Sequence, residues 1–223
     1  DFGLQYTYKL NKKNTINIGA VYTLGRTLHG DAYKYHQTGA ESNGSIYVQS
    51  QTGDTIPNPF KMPHTFGIGL TYVYDNRLTI GVDYTLQKWN TADLAWSKFN
   101  KESVEMNSRT KIAFGAEFVP SYISHNYLKR IRYRMGAYYS SPYNKVSYTS
   151  PDTGTTSFQD GAREYGVSIG FGLPMFQSKS MLNISGQYIK VSPKFKGLME
   201  ENYLRINIGL TFNERWFMKW KVD

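Results

Sequence analysis

Apolar residues alternate with polar or small ones along most of this chain. A period of two marks β-strands with one apolar face. The first stretch sets Phe2, Leu4, Tyr6, Tyr8 and Leu10 against Gly3, Gln5, Thr7 and Lys9. After a polar turn at Asn11–Asn14, Ile16, Ile18, Ala20, Tyr22 and Leu24 oppose Asn17, Gly19, Val21 and Thr23. The rhythm recurs over Thr65–Tyr72, Leu78–Gln87, Lys111–Phe118, Ile131–Tyr139, Glu164–Leu173, Leu182–Tyr188 and Leu204–Phe212, and so predicts nine strands. Asp75-Asn76 has the chemistry of a tight hairpin turn.

The apolar stripes run for about nine residues. A tilted membrane strand needs about 9–11, whereas soluble strands stop more often near 5–6. The connections alternate in length. Asn11–Asn14, Asp75-Asn76, Pro120–Leu128 and Pro174–Lys179 are short, while Gly25–Pro63, Asn90–Ser108, Ser141–Gly161 and Ser192–Glu201 are long. Short turns at one end and long loops at the other are the habit of outer-membrane barrels. The predicted fold is therefore all-β, an antiparallel transmembrane β-barrel in the Gram-negative outer membrane. The last strand leaves the C-terminus in the periplasm, and Asn213–Asp223 reads as a periplasmic tail with Trp216, Phe217 and Trp220 near the interface. Nine is an odd number, and single-chain bacterial barrels usually have an even one. Either Ser45–Ser50 hides a further strand inside the first long loop, or strands precede Asp1. The second is the expectation, with residues 1–223 forming one barrel domain.

Composition sharpens the picture. The 19 Tyr, 12 Phe and 4 Trp suit a membrane interface, where a ring can be buried and its polar tip wet. No run of about 18 apolar residues is present, so no membrane-crossing helix is predicted. No cysteine is available for disulfides or thiolate metal sites. The formal net charge is +9, but the Lys and Arg are scattered and no recognition helix or RNA-binding signature accompanies them, so nucleic acid is not an expected partner.

If the apolar face meets lipid, the opposite face lines the lumen. That face is rich in Gly and Thr, and carries Asp83, Lys111, Glu117, Arg132, Arg134, Glu164 and Arg205. Its glycines either make room in a crowded lumen or bend the strands. Its charges allow two readings. Lys111, Arg132, Arg134 and Arg205 are the candidate ligand-binding residues for an anionic head group, since Arg grips a carboxylate bidentately. Alternatively, Arg–Glu pairs bridge neighbouring strands and plug the barrel.

Glu164–Pro174 (EYGVSIGFGLP) and Glu201–Phe217 (ENYLRINIGLTFNERWF) resemble the C-terminal strands of the FadL/TodX family of outer-membrane transport proteins, in its Bacteroidetes form. Arg130–Tyr139 (RIRYRMGAYY) is similar, and the likeness covers most of residues 60–220. That resemblance implies a barrel of about 14 strands with an N-terminal hatch, and passive uptake of long-chain fatty acids or other hydrophobic compounds. About five strands and the hatch would precede Asp1. The chain lacks the hatch, and Asn58-Pro59-Phe60 is not equated with any hatch motif. Asn207, Gly209 and Phe212 resemble an outer-membrane assembly signal, although Glu214 stands where a second aromatic is expected.

Chemistry for catalysis is not legible. His29, His36, His64 and His125 have no metal-ligand spacing and are read as solvated. Asp93, Glu102 and Glu105 share a loop, and Gly44–Gln49 and Thr149–Ser157 are polar loop sequence. Asn183-Ile184-Ser185 fits a glycosylation sequon but falls within a strand. The leading expectation is a non-enzymatic, cofactor-free transporter of hydrophobic small molecules, surrounded by membrane lipids. The rivals are a structural or interaction barrel within an outer-membrane assembly complex, such as protein-insertion machinery, and a soluble β-sandwich binding module.

Overall fold

The computed structural model describes residues 1–42, 45–58, 60–91, 105–149, 156–175, 180–193 and 199–212. Its strands are β1 (Phe2–Lys9), β2 (Asn14–Thr23), β3 (Arg26–Leu28), β4 (Asp31–Ser42), β5 (Ser45–Pro57), β6 (Phe60–Met62), β7 (Thr65–Tyr74), β8 (Leu78–Gln87), β9 (Arg109–Phe118), β10 (Arg132–Ser140), β11 (Lys145–Thr149), β12 (Thr156–Asp160), β13 (Ala162–Pro174), β14 (Met181–Pro193) and β15 (Glu201–Thr211). Helix α1 is a single turn, Tyr127–Arg130. Among the described residues no helix is long and apolar enough to cross a membrane.

The nine strands expected from the alternation form one sheet in the order β1-β2-β7-β8-β9-β10-β13-β14-β15. Every neighbouring pair is antiparallel. The chain thus meanders without a crossover, as short turns dictate. The register matches the faces of all nine strands. One row runs Tyr6, Ile18, Leu70, Val82, Phe114, Ala137, Val167, Tyr188, Leu204 across the whole sheet. A slip of one residue in any strand would put polar side chains into that row.

The apolar face is the more exposed one, which inverts the order of a water-soluble sandwich. Ile206 is 68 % exposed, Met135 63 % and Ile68 62 %. Gly166, Gly170 and Gly172, on the opposite face of β13, are buried. Among the described residues only Val119, Ile131 and Ile189 are buried hydrophobics. Among the described residues there is no apolar core to hold two sheets together, which does not fit the packing of a soluble sandwich. The outward face is the lipid-facing face of a barrel wall.

Aromatic clusters stand at both ends of that face. Towards the long connections, the Tyr22 ring lies between Phe2, at 6.5 Å, and Phe66, at 4.8 Å, while Tyr139 packs on Tyr165 at 5.1 Å. Towards the short connections, Tyr74, Leu78, Phe118, Tyr133, Phe171 and Ile184 form one continuous cross-strand row. Phe66 and Tyr74 bracket roughly 27 Å of β7 at about 3.4 Å per residue. That is close to the height of the apolar band of a membrane barrel, about 25 Å.

The sheet is not closed. Eight antiparallel pairings separate β1 from β15, so the two edge strands run in the same direction. Ser45–Ser50 does not supply a tenth wall strand. It belongs to β5, which pairs with β4 in a separate ribbon. β3 with β6 and β11 with β12 form two further ribbons within the long connections. Alternation did not reveal these ribbons, because a two-stranded ribbon wet on both faces needs no apolar stripe.

Asp75 and Asn76 adopt φ of 49° and 52°, the left-handed pair of a type I′ hairpin turn. His64 departs from expectation. It is not solvated but half-buried, and its Nδ1 accepts from the Gly25 N–H at 3.3 Å and lies 2.7 Å from the Tyr22 hydroxyl. This latch closes the head of the β2–β7 hairpin. The proposed tail at Asn213–Asp223, together with Asp93, Glu102 and most of Thr149–Ser157, lies outside the described residues.

Candidate functional site

The polar face of β9, β10, β13 and β14 gathers the charges that alternation had placed there, in two groups. In the first, Glu117 on β9 faces Arg134 on β10 directly in register. Arg134 Nε donates to Glu117 Oε2 at 2.6 Å, and Arg132 Nη1 reaches Glu117 Oε1 at 3.4 Å. Arg134 also crosses β13 and donates from Nη1 to Asn183 Oδ1 on β14 at 2.8 Å. The crossing is open because β13 offers Gly170 and Gly172 there, opposite Arg134 and Arg132. A larger side chain on β13 would meet the guanidinium.

The second group centres on Glu164 of β13. The Tyr138 hydroxyl donates to Glu164 Oε1 at 2.5 Å, and Arg109 Nη2 lies 3.7 Å from Oε2. Arg109 Nε donates to the Oγ of Ser140, which is buried. Lys111 Nζ lies 4.7 Å from the centre of the Tyr138 ring, in a cation–π contact. The Tyr138 ring covers Gly166, where a Cβ would overlap it.

Of the four candidate residues, Arg132 and Arg134 share one carboxylate, Lys111 covers an aromatic ring, and Arg205 stands apart on the last strand. The arrangement matches the bridging alternative: Arg–Glu pairs join β9 to β10 and to β13 across the inner face, and the Arg134–Asn183 hydrogen bond adds β14. Arg109, Tyr138, Ser140 and Asn183 complete the network and were not expected from the sequence as members of it. Parity could have found Arg109 and Tyr138, since Arg109 lies two residues before Lys111 on the same face and Tyr138 four after Arg134. The reach of Arg134 over β13 had no signal in sequence, because it depends on the cross-strand register.

Asp83, on β8, lies apart from both groups and over Gly69. Among the described residues no group of three or more His, Cys, Asp or Glu could hold a metal ion. The inner face can hold strands together electrostatically.

No curated protein and no solved structure matches the chain. One family model does, described as BamG, and it covers residues 1–223. BamG is a family of its own, so the expected membership of the FadL/TodX family is overturned, and the uptake of fatty acids or other hydrophobic compounds goes with it. The count of about 14 strands and the hatch lose their basis too. The strand likeness that suggested them reflects the shared demands of any outer-membrane wall: alternation, glycines facing inward and aromatics at the interfaces. The matching family points to the outer membrane and to a partner in its assembly machinery. Over its whole length, this chain belongs to the BamG family.

Proposed function

We propose that the chain is a barrel-wall component of the machinery that assembles outer-membrane proteins, with a structural or docking role and no bond-making chemistry of its own. The observation that carries this reading is the BamG match over residues 1–223. The inner face supports it. Ion pairs from Glu117 tie β9 to β10, and the Glu164–Arg109 pair spans β10 from β13 to β9, which favours a stiff wall over an open path for cargo. In this reading the short connections and the C-terminus face the periplasm, and the long connections with their ribbons reach outside the cell, as in other barrels.

Affinity purification of the tagged protein from its own outer membrane, in mild detergent, tests the proposal. Stoichiometric recovery of other components of the assembly machinery is expected. Recovery of the protein alone, at every detergent concentration that keeps it folded, would overturn it.

A further inference from the structure

The two ends of the sheet differ in charge. The four short connections between wall strands carry Lys12, Lys13, Arg77, Lys129, Arg130 and Lys179 against one carboxylate, Asp75, which lies 3.4 Å from Arg77. The four long connections carry nine cations and nine carboxylates. The net charge of the connections is therefore concentrated at the short-turn end.

Three of the short connections are tied into one rim. The Asp75 N–H donates to the Lys13 carbonyl at 2.7 Å, and the Val119 N–H to the Arg77 carbonyl at 2.7 Å. The Tyr122 hydroxyl donates to the Asn76 carbonyl at 2.6 Å, and the Ser121 N–H to the Lys129 carbonyl at 2.8 Å. These bonds hold Lys12, Lys13, Arg77, Lys129 and Arg130 along one edge. The Arg130 guanidinium lies 5.6 Å from the centre of the Tyr127 ring. Its Nε is shut off from solvent and has no acceptor among the described residues, an orphaned cationic donor.

The same rim exposes apolar side chains beside its cations. Ile123 is 92 % exposed and Leu128 62 %, with Tyr122 and Tyr127 immediately before them in the chain. In bulk water such side chains gain nothing. At a membrane interface they enter the acyl boundary, while the cations beside them stay level with the phosphates. The aromatic row Tyr74–Leu78–Phe118–Tyr133–Phe171–Ile184 lies immediately above and sets that level over six strands. The Tyr133 hydroxyl reaches from the row into the rim, donating to the Leu128 carbonyl at 3.0 Å.

We propose that this rim is a binding surface for anionic glycerophospholipid head groups of the leaflet reached by the short turns. The inference rests on the membrane-embedded wall and is independent of which protein partners the chain has. The cations supply charge complementarity, and Ile123 and Leu128 supply the apolar anchor.

The test uses the intact protein, with whatever partners it keeps, exchanged into mixed micelles of phosphatidylglycerol and phosphatidylcholine. Retained lipid is counted by native mass spectrometry. Replacing four rim cations together (Lys12→Gln, Lys13→Gln, Lys129→Gln, Arg130→Gln) is expected to lower phosphatidylglycerol retention by at least about ten-fold. Phosphatidylcholine retention should not change. A control removes four cations from the opposite end (Arg26→Gln, Lys34→Gln, Lys61→Gln, Lys88→Gln) and should retain lipid like the unaltered protein.

Unchanged phosphatidylglycerol retention in the rim variant, or an equal drop in the control, would overturn the proposal. So would loss of a co-purifying protein with lipid retention intact, which would make the rim a protein-docking surface. If the rim variant does not fold, Ile123→Ser with Leu128→Ser decides: it keeps every cation and should still lower retention about two-fold, and no change would be fatal to the idea. Failure to recover assembly partners would leave this lipid readout untouched, so the two proposals fail separately.

Discussion

On β1, β2, β7 and β8 the inner face is made of Gly3, Gly19, Gly67, Gly69 and Gly81, with Asn17, Thr71 and Asp83 among them. On β9, β10, β13, β14 and β15 it carries Arg109, Lys111, Glu117, Arg132, Arg134, Tyr138, Glu164 and Arg205 around Gly166, Gly170 and Gly172. The first half leaves an open trough of ≈ 530 Å³ over Gly3, Gly67, Gly69 and Asp83. In the second half Tyr138 covers Gly166, and Arg132 and Met181 crowd Gly172, while Gly115 and Gly209 stay open. Glycine is common to both halves, and its consequence depends on the neighbour that faces it. At Gly19 it leaves a void, and at Gly170 and Gly172 it admits a bridge.

Substitutions that treat the two halves alike should separate them. The largest effect is expected at Gly166, where a methyl group would overlap the Tyr138 ring. Gly166→Ala should cost about 2–3 kcal/mol by overpacking, read as a lower urea midpoint for the micelle-embedded protein. Its counterpart Gly19→Ala adds a Cβ that meets nothing within 4 Å. A shift within about 0.5 kcal/mol is expected there. Equal losses at both sites would erase the distinction between the halves.

Next comes Glu117→Gln, which strands two guanidinium groups and should cost about 1–2 kcal/mol, allowing for partial exposure of the pair. Asp83→Asn, in the open half, should leave the midpoint within about 0.5 kcal/mol of its starting value. A cost at Asp83 matching that at Glu117 would point to a partner for Asp83 inside the trough. Smaller still, Tyr138→Phe removes the hydroxyl bond to Glu164 and should cost about 1 kcal/mol. Among the substitutions expected to destabilise, Lys111→Gln has the least effect, about 0.5–1 kcal/mol for a lost cation–π contact. The thermal midpoint of the detergent-solubilised protein resolves both, and a reversed order would mean that Lys111 rather than Tyr138 organises the Glu164 group.

Much of the wall was legible in the sequence. Alternation over stretches such as Thr65–Tyr72 and Leu204–Phe212 identified the strands, their two faces and the positions of the turns, because side-chain period in a strand is a local geometric property. The left-handed turn at Asp75-Asn76 was legible for the same reason. The candidate site was legible only as a list of inward positions. Lys111, Arg132, Arg134 and Arg205 share a face, and sequence left open whether they await a ligand or bind each other. The fate of His64 was hidden as well, since Gly25 and Tyr22 reach it only through the pairing of β2 with β7.

By itself, then, the sequence determined the strand pattern, the apolar and polar faces, and the uneven charge of short and long connections, all set by neighbours along the chain. The tertiary structure decided what lay between strands. It showed the apolar face turned outward with almost no core beneath it, and Glu117 placed to take up Arg132 and Arg134. It showed Arg134 reaching Asn183 across Gly170 and Gly172, and it tied the short turns into one rim. Those outcomes depend on cross-strand register, in which residues far apart in sequence come within a few ångströms, and no local period records which of them will meet.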